Sequence, residues 1–290
     1  MSDKLVSFLF QTGAFKVSQV NQPFWLTSGL ISPYFVNTHF LYGNESDANA
    51  LLNFINNCLA TEEKTDIPGM IFEKALEQYE HNEVFKTTID ELKLLIQNNI
   101  DNNVIDYISG GERRDWYFSM MIAYLLGLPH ITLFKDQSAV VSTCDFEEST
   151  EVTKLEGKRV LHVSDLLTKA SSFENYWEPT IRNLGSDIYW SATIVDRLEG
   201  GTETLKDFKI EPISLINLDN SLFLKALELN VINQKQLSIL EEFKEDPYNH
   251  MRNFLISHPE FIKNSLNSED PKIVKRAQFC VDNDLYRLNN

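Results

Sequence analysis

With 290 residues, 43% hydrophobic and 23% charged, the chain can build one large core with an appended subdomain and is too apolar for a disordered polymer. A formal net charge of -16 opposes a phosphate backbone and argues against nucleic-acid binding, so an anionic ligand must be met by a local basic cluster or a metal. No apolar run approaches a membrane span, and "MSDKLVSFLF" lacks a basic segment ahead of a cleavage site. Cys58, Cys144 and Cys280 have neither zinc nor disulfide spacing, so a cytoplasmic protein with reduced thiols and no membrane partner is expected.

In chain order, "KLVSFLFQTGAF" carries a helical apolar pattern. "FWLTSGLISPYFVNTHFL" mixes aromatic and β-branched residues with turn signals at Ser28-Gly29 and Ser32-Pro33, which predicts short extended pieces. Residues 46–60 and about 71–97 return to a helical period, the second with a solvated face of glutamates and lysines. The pattern then alternates. "NVIDYIS" reads as a strand, "DWYFSMMIAYLLG" as a buried helix, and "HITLF" and "RVLHV" as strands. The segment through Leu184 reads as a helix that Pro179 kinks or restarts, and "DIYWSATIV" and "ISLINL" as strands. This alternation predicts an α/β fold with a parallel sheet flanked by helices. After Leu218 the pattern is helical only, with Asp246-Pro247 and Asp270-Pro271 placed as a cap followed by a first-turn proline. The expected division is an α/β domain over 1–218, with a helical insertion at about 62–100, and a helical extension over 219–290.

Ligands of such sheets sit beyond the carboxyl ends of strands, and three polar segments fall there. Residues 164–172, "SDLLTKASS", place Asp165 ahead of Thr168, Lys169, Ala170, Ser171 and Ser172. A sugar phosphate needs such a carboxylate for its hydroxyls, then N–H groups and hydroxyls around the phosphate, although a capped turn uses the same residues. "GGERRD" joins two glycines, which permit a tight backbone near a ligand, to the planar charged forks of Arg113 and Arg114. Asp115 is placed to cap the following helix. "VDRLEGG" sets Arg197 at a strand end, with Asp196 to hold its orientation. The six histidines have no metal spacing, and His130 and His162 read as core or edge residues.

Taken together, these segments resemble orotate phosphoribosyltransferase, a type I phosphoribosyltransferase, over roughly residues 5–218 with the insertion set aside. "FWLTSGLISPYFVN" is similar to the N-terminal segment F-x-L-K-S-G-x-x-S-P-Y-F, and "VIDYISGGERRDW" to the strand and pyrophosphate loop. "VLHVSDLLTKASS" resembles the phosphoribosyl diphosphate (PRPP) motif V-E/D-D-x-x-T-x-G-x-S, and "IVDRLEGG" the strand ending in D-R-x-E-x-G. The resemblance implies a type I phosphoribosyltransferase-like sheet with an N-terminal hood. It also implies transfer of the phosphoribosyl group of PRPP to orotate, Mg²⁺ brought in with PRPP rather than held by side chains, and a homodimer. By position, Tyr34 and Phe35 would line the pyrimidine, Thr168 and Arg197 would contact orotate, Asp165 would take a ribose hydroxyl, and 168–172 would wrap the 5′-phosphate. Arg114 matches a basic position of the pyrophosphate loop. Thr27, Ser164 and Ala170 replace the motif's lysine, first acid and glycine, and an acidic stretch follows Lys135 where a basic mobile loop is expected. Lys135, Lys169 and Arg113 are the candidate replacement charges. The alternative reading is a catalytically silent or altered-specificity module that binds a nucleotide or phosphoribosyl ligand.

Overall fold

The computed structural model describes residues 2–288. It begins with α1 (Asp3–Gln11), the short strands β1 (Phe15–Val17), β2 (Phe24–Trp25), β3 (Ile31–Ser32) and β4 (Tyr34–Val36), and a 3₁₀ turn (Thr38–Tyr42). Then come α2 (Glu45–Thr61), α3 (Ile67–His81), α4 (Glu83–Asn99), β5 (Tyr107–Gly111), α5 (Trp116–Leu126), β6 (His130–Leu133), β7 (Ala139–Ser142), β8 (Ser149–Glu151) and β9 (Arg159–Leu167). A π turn (Phe173–Trp177), α6 (Glu178–Asn183), β10 (Asp187–Asp196), α7 (Gly201–Asp207) and β11 (Glu211–Asn217) complete the alternating region. The helices α8 (Asn220–Glu228), α9 (Gln234–Glu245), α10 (Pro247–Ser257), α11 (Pro259–Leu266) and α12 (Pro271–Asp282) close the chain. The residues through Ala14 with Thr38–Leu222 form one compact unit, and Phe15–Asn37 with the residues from Phe223 onward form another.

In the first unit the sheet order is β11-β10-β9-β5-β6-β7-β8. The pairs from β11 to β6 are parallel, as the strand and helix alternation predicts, and β6-β7 and β7-β8 are antiparallel. These last two strands correct the sequence reading, which leaves "KDQSAVVSTCDFEESTEVTK" as a loop. Ala139, Val140 and Val141 are the apolar residues of a four-residue strand too short to register among the acids around it, and pairing with β6 decides its conformation. The segment at 71–97 is likewise two helices. Asn82 accepts from the N–H groups of Val84 and Phe85, at 3.0 and 3.1 Å, and so starts α4 afresh. Strand β9 is buried except at Arg159 and Leu166, which explains its near-continuous apolar run. Parallel pairing brings the C-terminal ends of β5, β9 and β10 to one edge of the sheet.

In the second unit, β1 pairs with β4 and β2 with β3, both antiparallel. Trp25 and Ile31 pack with Met251, Leu255, Ala277, Cys280 and Tyr286 in one buried cluster. Asp246 and Asp270 cap α10 and α12, each ahead of its proline. The single boundary read near 218 therefore differs from the contacts. Residues 15–37 carry apolar side chains that are covered by helices lying more than 200 residues later, a partnership that local pattern does not encode.

Candidate functional site

A cleft of ≈ 300 Å³ opens at the carboxyl edge of the sheet. It is lined by Glu112, Arg113, Arg114, Asp115, Lys135, residues 164–168, Ala170, Ser171, Ser172, Phe173 and Trp177. That volume lies at the small end for a ligand site. Three chain segments build it: the β5–α5 connection, the start of the β6–β7 connection, and the end of β9 with its following turn. Ala170 adopts a left-handed conformation, φ 58, and turns the chain out of β9 towards the π turn. Ala170 thus takes the left-handed conformation that a glycine adopts freely, at the steric cost an L residue carries there.

Two glycines hold this edge together by packing. A Cβ on Gly111 would lie 2.3 Å from the Trp177 ring, and one on Gly110 would lie 2.0 Å from Ser119 Oγ. Neither glycine lines the cleft, so their smallness serves the contact of β5 with its neighbours, whereas the sequence reading gives it to a ligand.

The floor is acidic and deeply buried. Asp165 is 8% exposed and Asp115 is 9% exposed. Asp115 stands at the head of α5, but its side chain makes no capping bond. Its Oδ1 accepts the Asp165 backbone N–H at 2.8 Å, which corrects the expectation of a simple cap. Burial first, then the neighbouring Asp115 charge, raises the Asp165 pKa to about 8, against the pull of Arg114. Burial likewise raises Asp115 to about 7, opposed by hydrogen bonds from Asp165 and Gly111 and by Arg114. The two side chains are close enough to titrate as a pair.

Behind them lies His162, with no exposed surface, whose Nε2 is 3.8 Å from Asp115 Oδ2. Its Nδ1 is hydrogen-bonded to Ser109 Oγ at 2.9 Å, and Phe173 and Trp177 lie against its ring. Burial lowers its pKa to about 3, so the ring is neutral. His130 is held to about 3 by burial and by His162, with Ser119 and Thr132 as hydrogen-bond partners. His39 is lowered to about 3 by burial and then by Arg114.

Of the residues singled out in the sequence, Arg113, Arg114, Lys135, Asp165, Thr168, Ala170, Ser171 and Ser172 converge on the cleft. Lys169 is exposed and outside its lining. Arg197 is also outside the lining; it pairs with Glu199 at 2.7 Å, while Asp196 accepts from Leu198 N–H and the Thr202 hydroxyl. Tyr34 and Phe35 belong to the second unit. Sequence reasoning gives Asp115, Glu112 and His162 no place in the site. Glu112 accepts the Lys135 N–H at 3.1 Å and so ties two cleft segments together. Among the described residues there is no group of three or more His, Cys, Asp or Glu side chains that could hold a metal ion.

Comparison of the fold gives a solved orotate phosphoribosyltransferase from Francisella tularensis, 15% identical, with a TM-score of 0.53 and coverage of 83% of this chain and 98% of that one. The fold is that of the type I phosphoribosyltransferases. A Leishmania donovani UMP synthase matches this phosphoribosyltransferase fold with a TM-score of 0.56 at 15% identity, over 83% of this chain and 42% of that longer one. In sequence, the chain is 28% identical over 162 residues to an adenine phosphoribosyltransferase of Mannheimia succiniciproducens, covering 52% of this chain and 87% of the relative. A Butyrivibrio fibrisolvens adenine phosphoribosyltransferase is 28% identical over 131 residues. No family model matches the chain. Both the sequence comparison and the fold comparison thus return phosphoribosyltransferases.

Proposed function

We propose that this protein is a phosphoribosyltransferase that takes PRPP into the cleft and moves its ribose 5-phosphate to orotate, giving orotidine 5′-monophosphate and pyrophosphate. The observation that carries this reading is the convergence of two arginines, a lysine, a buried carboxylate and a hydroxyl-rich turn on one cleft of the phosphoribosyltransferase fold. In it, residues 168–172 receive the 5′-phosphate, Asp165 takes a ribose hydroxyl, and Arg114, Arg113 and Lys135 face the pyrophosphate. As the ring N–H nitrogen of the base bonds to the ribose C1 and gives up its proton to solvent, the C1–O bond breaks and pyrophosphate leaves with its electrons, so positive charge grows at the ribosyl centre. Fixed charges on either side stabilise that separation, and no protein nucleophile is required. Among the described residues no side-chain group forms a metal cage, so Mg²⁺ would enter with the diphosphate and would offset the charge of the leaving group.

Orotate as acceptor is supported by the N-terminal segment "FWLTSGLISPYFVN", and adenine is the competing acceptor because the sequence relatives carry that name. A second reading, a phosphoribosyl-binding module without turnover, is favoured by one observation. The stretch after Lys135 is an acidic hairpin, β7-β8, where transfer would be helped by a basic segment. The test is an assay of PRPP and Mg²⁺ with orotate and, separately, with adenine, using Arg114→Ala as control. Turnover of orotate that is lost in Arg114→Ala supports the proposal, and turnover of adenine alone reassigns the acceptor. PRPP binding without turnover selects the second reading, and absence of binding overturns both. Homodimeric assembly and a cytoplasmic address belong to the same reading and are checked by light scattering and cell fractionation.

A further inference from the structure

The connection from β6 to β7 carries Lys135 to the edge of the cleft, and it is a tight turn over residues 134–138. Phe134, 1% exposed, roots the turn against Trp116, with ring centroids 5.2 Å apart. The Phe134 N–H donates to Ser138 O and the Gln137 N–H to Phe134 O, both at 3.0 Å. Asp136 Oδ1 accepts the Ser138 N–H at 3.1 Å and the Ser138 hydroxyl at 2.7 Å. Bonds this dense within so short a span leave the backbone at Lys135 little freedom.

Two side chains remote in sequence then fix the turn against its surroundings. From the β5–α5 connection, Glu112 Oε2 accepts the Lys135 N–H at 3.1 Å. From between α2 and α3, Lys64 donates to Asp136 Oδ2 and to Ser138 Oγ, the latter at 2.6 Å, and its ammonium lies 5.1 Å from the centroid of the Phe134 ring. Lys64 is the first cause that holds the Asp136 carboxyl down at about 2. A lone surface ion pair contributes little, but an ammonium that meets a carboxylate, a hydroxyl and an aromatic face together is a network with a defined geometry. The helical insertion grips the next connection as well, because Phe72 of α3 stacks on Phe146, between β7 and β8, at 4.4 Å and 19°. Among the described residues Lys135 forms no ion pair, so its charge is available to a ligand in the cleft.

We propose that Lys64 is a positioning residue for the diphosphate end of the donor, locking the turn at 134–138 so that Lys135 stands in place before the ligand arrives. This rests on the phosphoribosyl reading of the cleft. A lysine carried on a loose loop loses freedom when a ligand orders it, and that cost subtracts from affinity; a turn fixed beforehand avoids it. Lys64 lines none of the cleft, so its influence passes through Lys135. The influence is also confined to one end of the ligand. The 5′-phosphate belongs to residues 168–172, which follow β9, and the bonds of Lys64 run instead to Asp136 and Ser138. Through this one side chain the helical insertion becomes part of the ligand site.

Calorimetric titration with PRPP and with ribose 5-phosphate, both in Mg²⁺, tests the proposal, because the two ligands differ by the diphosphate. Lys64→Met should bind PRPP about tenfold more weakly than the native protein does, and ribose 5-phosphate within about twofold of it. Lys64→Arg, which keeps the charge, should recover most of the loss. Asp136→Asn keeps an oxygen for the Ser138 N–H but not the charge that faces Lys64, and it should reproduce the loss. In a Lys135→Met background the Lys64→Met substitution should leave PRPP affinity nearly unchanged, since the two residues act in series. Native PRPP affinity in Lys64→Met, an equal loss for both ligands, or a loss that persists without Lys135 would overturn the proposal. A native protein that binds ribose 5-phosphate but not PRPP would overturn it too, while leaving the phosphate turn standing. If the native protein binds neither ligand, the phosphoribosyl reading fails and takes the role of Lys64 with it.

Discussion

At the scale of single residues, the buried titratable groups give stability a definite pH profile. Histidines 39, 130 and 162 are held neutral, with folded pKa values of about 3 against 6.5 in an unfolded chain. The unfolded state therefore binds more protons below 6.5, and the stability present above 6.5 is lost as the pH falls towards 3. The acid pair runs the other way. Its folded values, about 7 and about 8, lie above the 3.8 of a free aspartate, so the folded state binds the extra proton. That contribution is full below 3.8 and is lost as the pH rises through 7 to 8. Between pH 6.5 and 8 the histidines no longer contribute a slope and the pair does, so stability should peak near 6.5 and decline towards 8. Urea unfolding across this range should show the decline in the native protein and its absence in Asp115→Asn. A native profile that is flat from 6.5 to 8 would contradict the raised values.

At the scale of elements, the cleft depends on how closely β5 meets the π turn that carries Trp177. Gly111 allows that contact, and Trp177 in turn lies against His162. Gly111→Ala drives a methyl into a buried indole, so it should cost about 1–3 kcal/mol by overpacking and weaken ligand binding by displacing a wall of the cleft. Gly127 is the contrasting case. It ends α5 at φ 68 with nothing within 4 Å of an added Cβ, so Gly127→Ala should cost about 1 kcal/mol from backbone strain alone and leave binding unchanged. Thermal unfolding and ligand titration of the two variants separate packing from backbone conformation. The parallel strands around this contact were legible because burial on both faces writes continuous apolar runs such as "RVLHV" and "DIYWSATIV". The hairpin β7-β8 was not, because β8 carries "STE", a polar triplet that becomes a strand through its pairing with β7. The convergence of Arg113, Arg114, Lys135, residues 164–168 and residues 170–172 followed from strand ends lying at one edge. Asp115 escaped because an aspartate before a helix has the same local pattern whether it caps the helix or reaches a residue 50 positions away.

At the scale of the whole chain, the division into two compact units depends on contacts between segments remote in sequence. In the second unit the Ile31 N–H donates to Tyr286 Oη at 2.9 Å, and Trp25 Nε1–H donates to Ser265 Oγ at 2.8 Å, spanning 255 and 240 residues. Neither Trp25 nor Ile31 announces its partner, since a two-residue strand has no period to read. These bonds make the C-terminal helices part of the fold of 15–37, and they predict where damage will be felt. Tyr286→Phe keeps the ring in its cluster but removes the acceptor, leaving the Ile31 N–H buried and unpaired at a cost of about 1–3 kcal/mol. Trp25 is the one tryptophan of this unit, whereas Trp116, Trp177 and Trp190 belong to the other. In protein labelled with 5-fluorotryptophan, ¹⁹F spectra through a denaturant series should therefore show the Trp25 resonance losing its native position at lower denaturant in Tyr286→Phe than in the native chain. Separate units can unfold in separate steps, so the other three resonances should keep their native midpoints. A common shift of all four would instead mean that the chain unfolds as one cooperative body, with the bond to Tyr286 supporting the sheet as well as the helices.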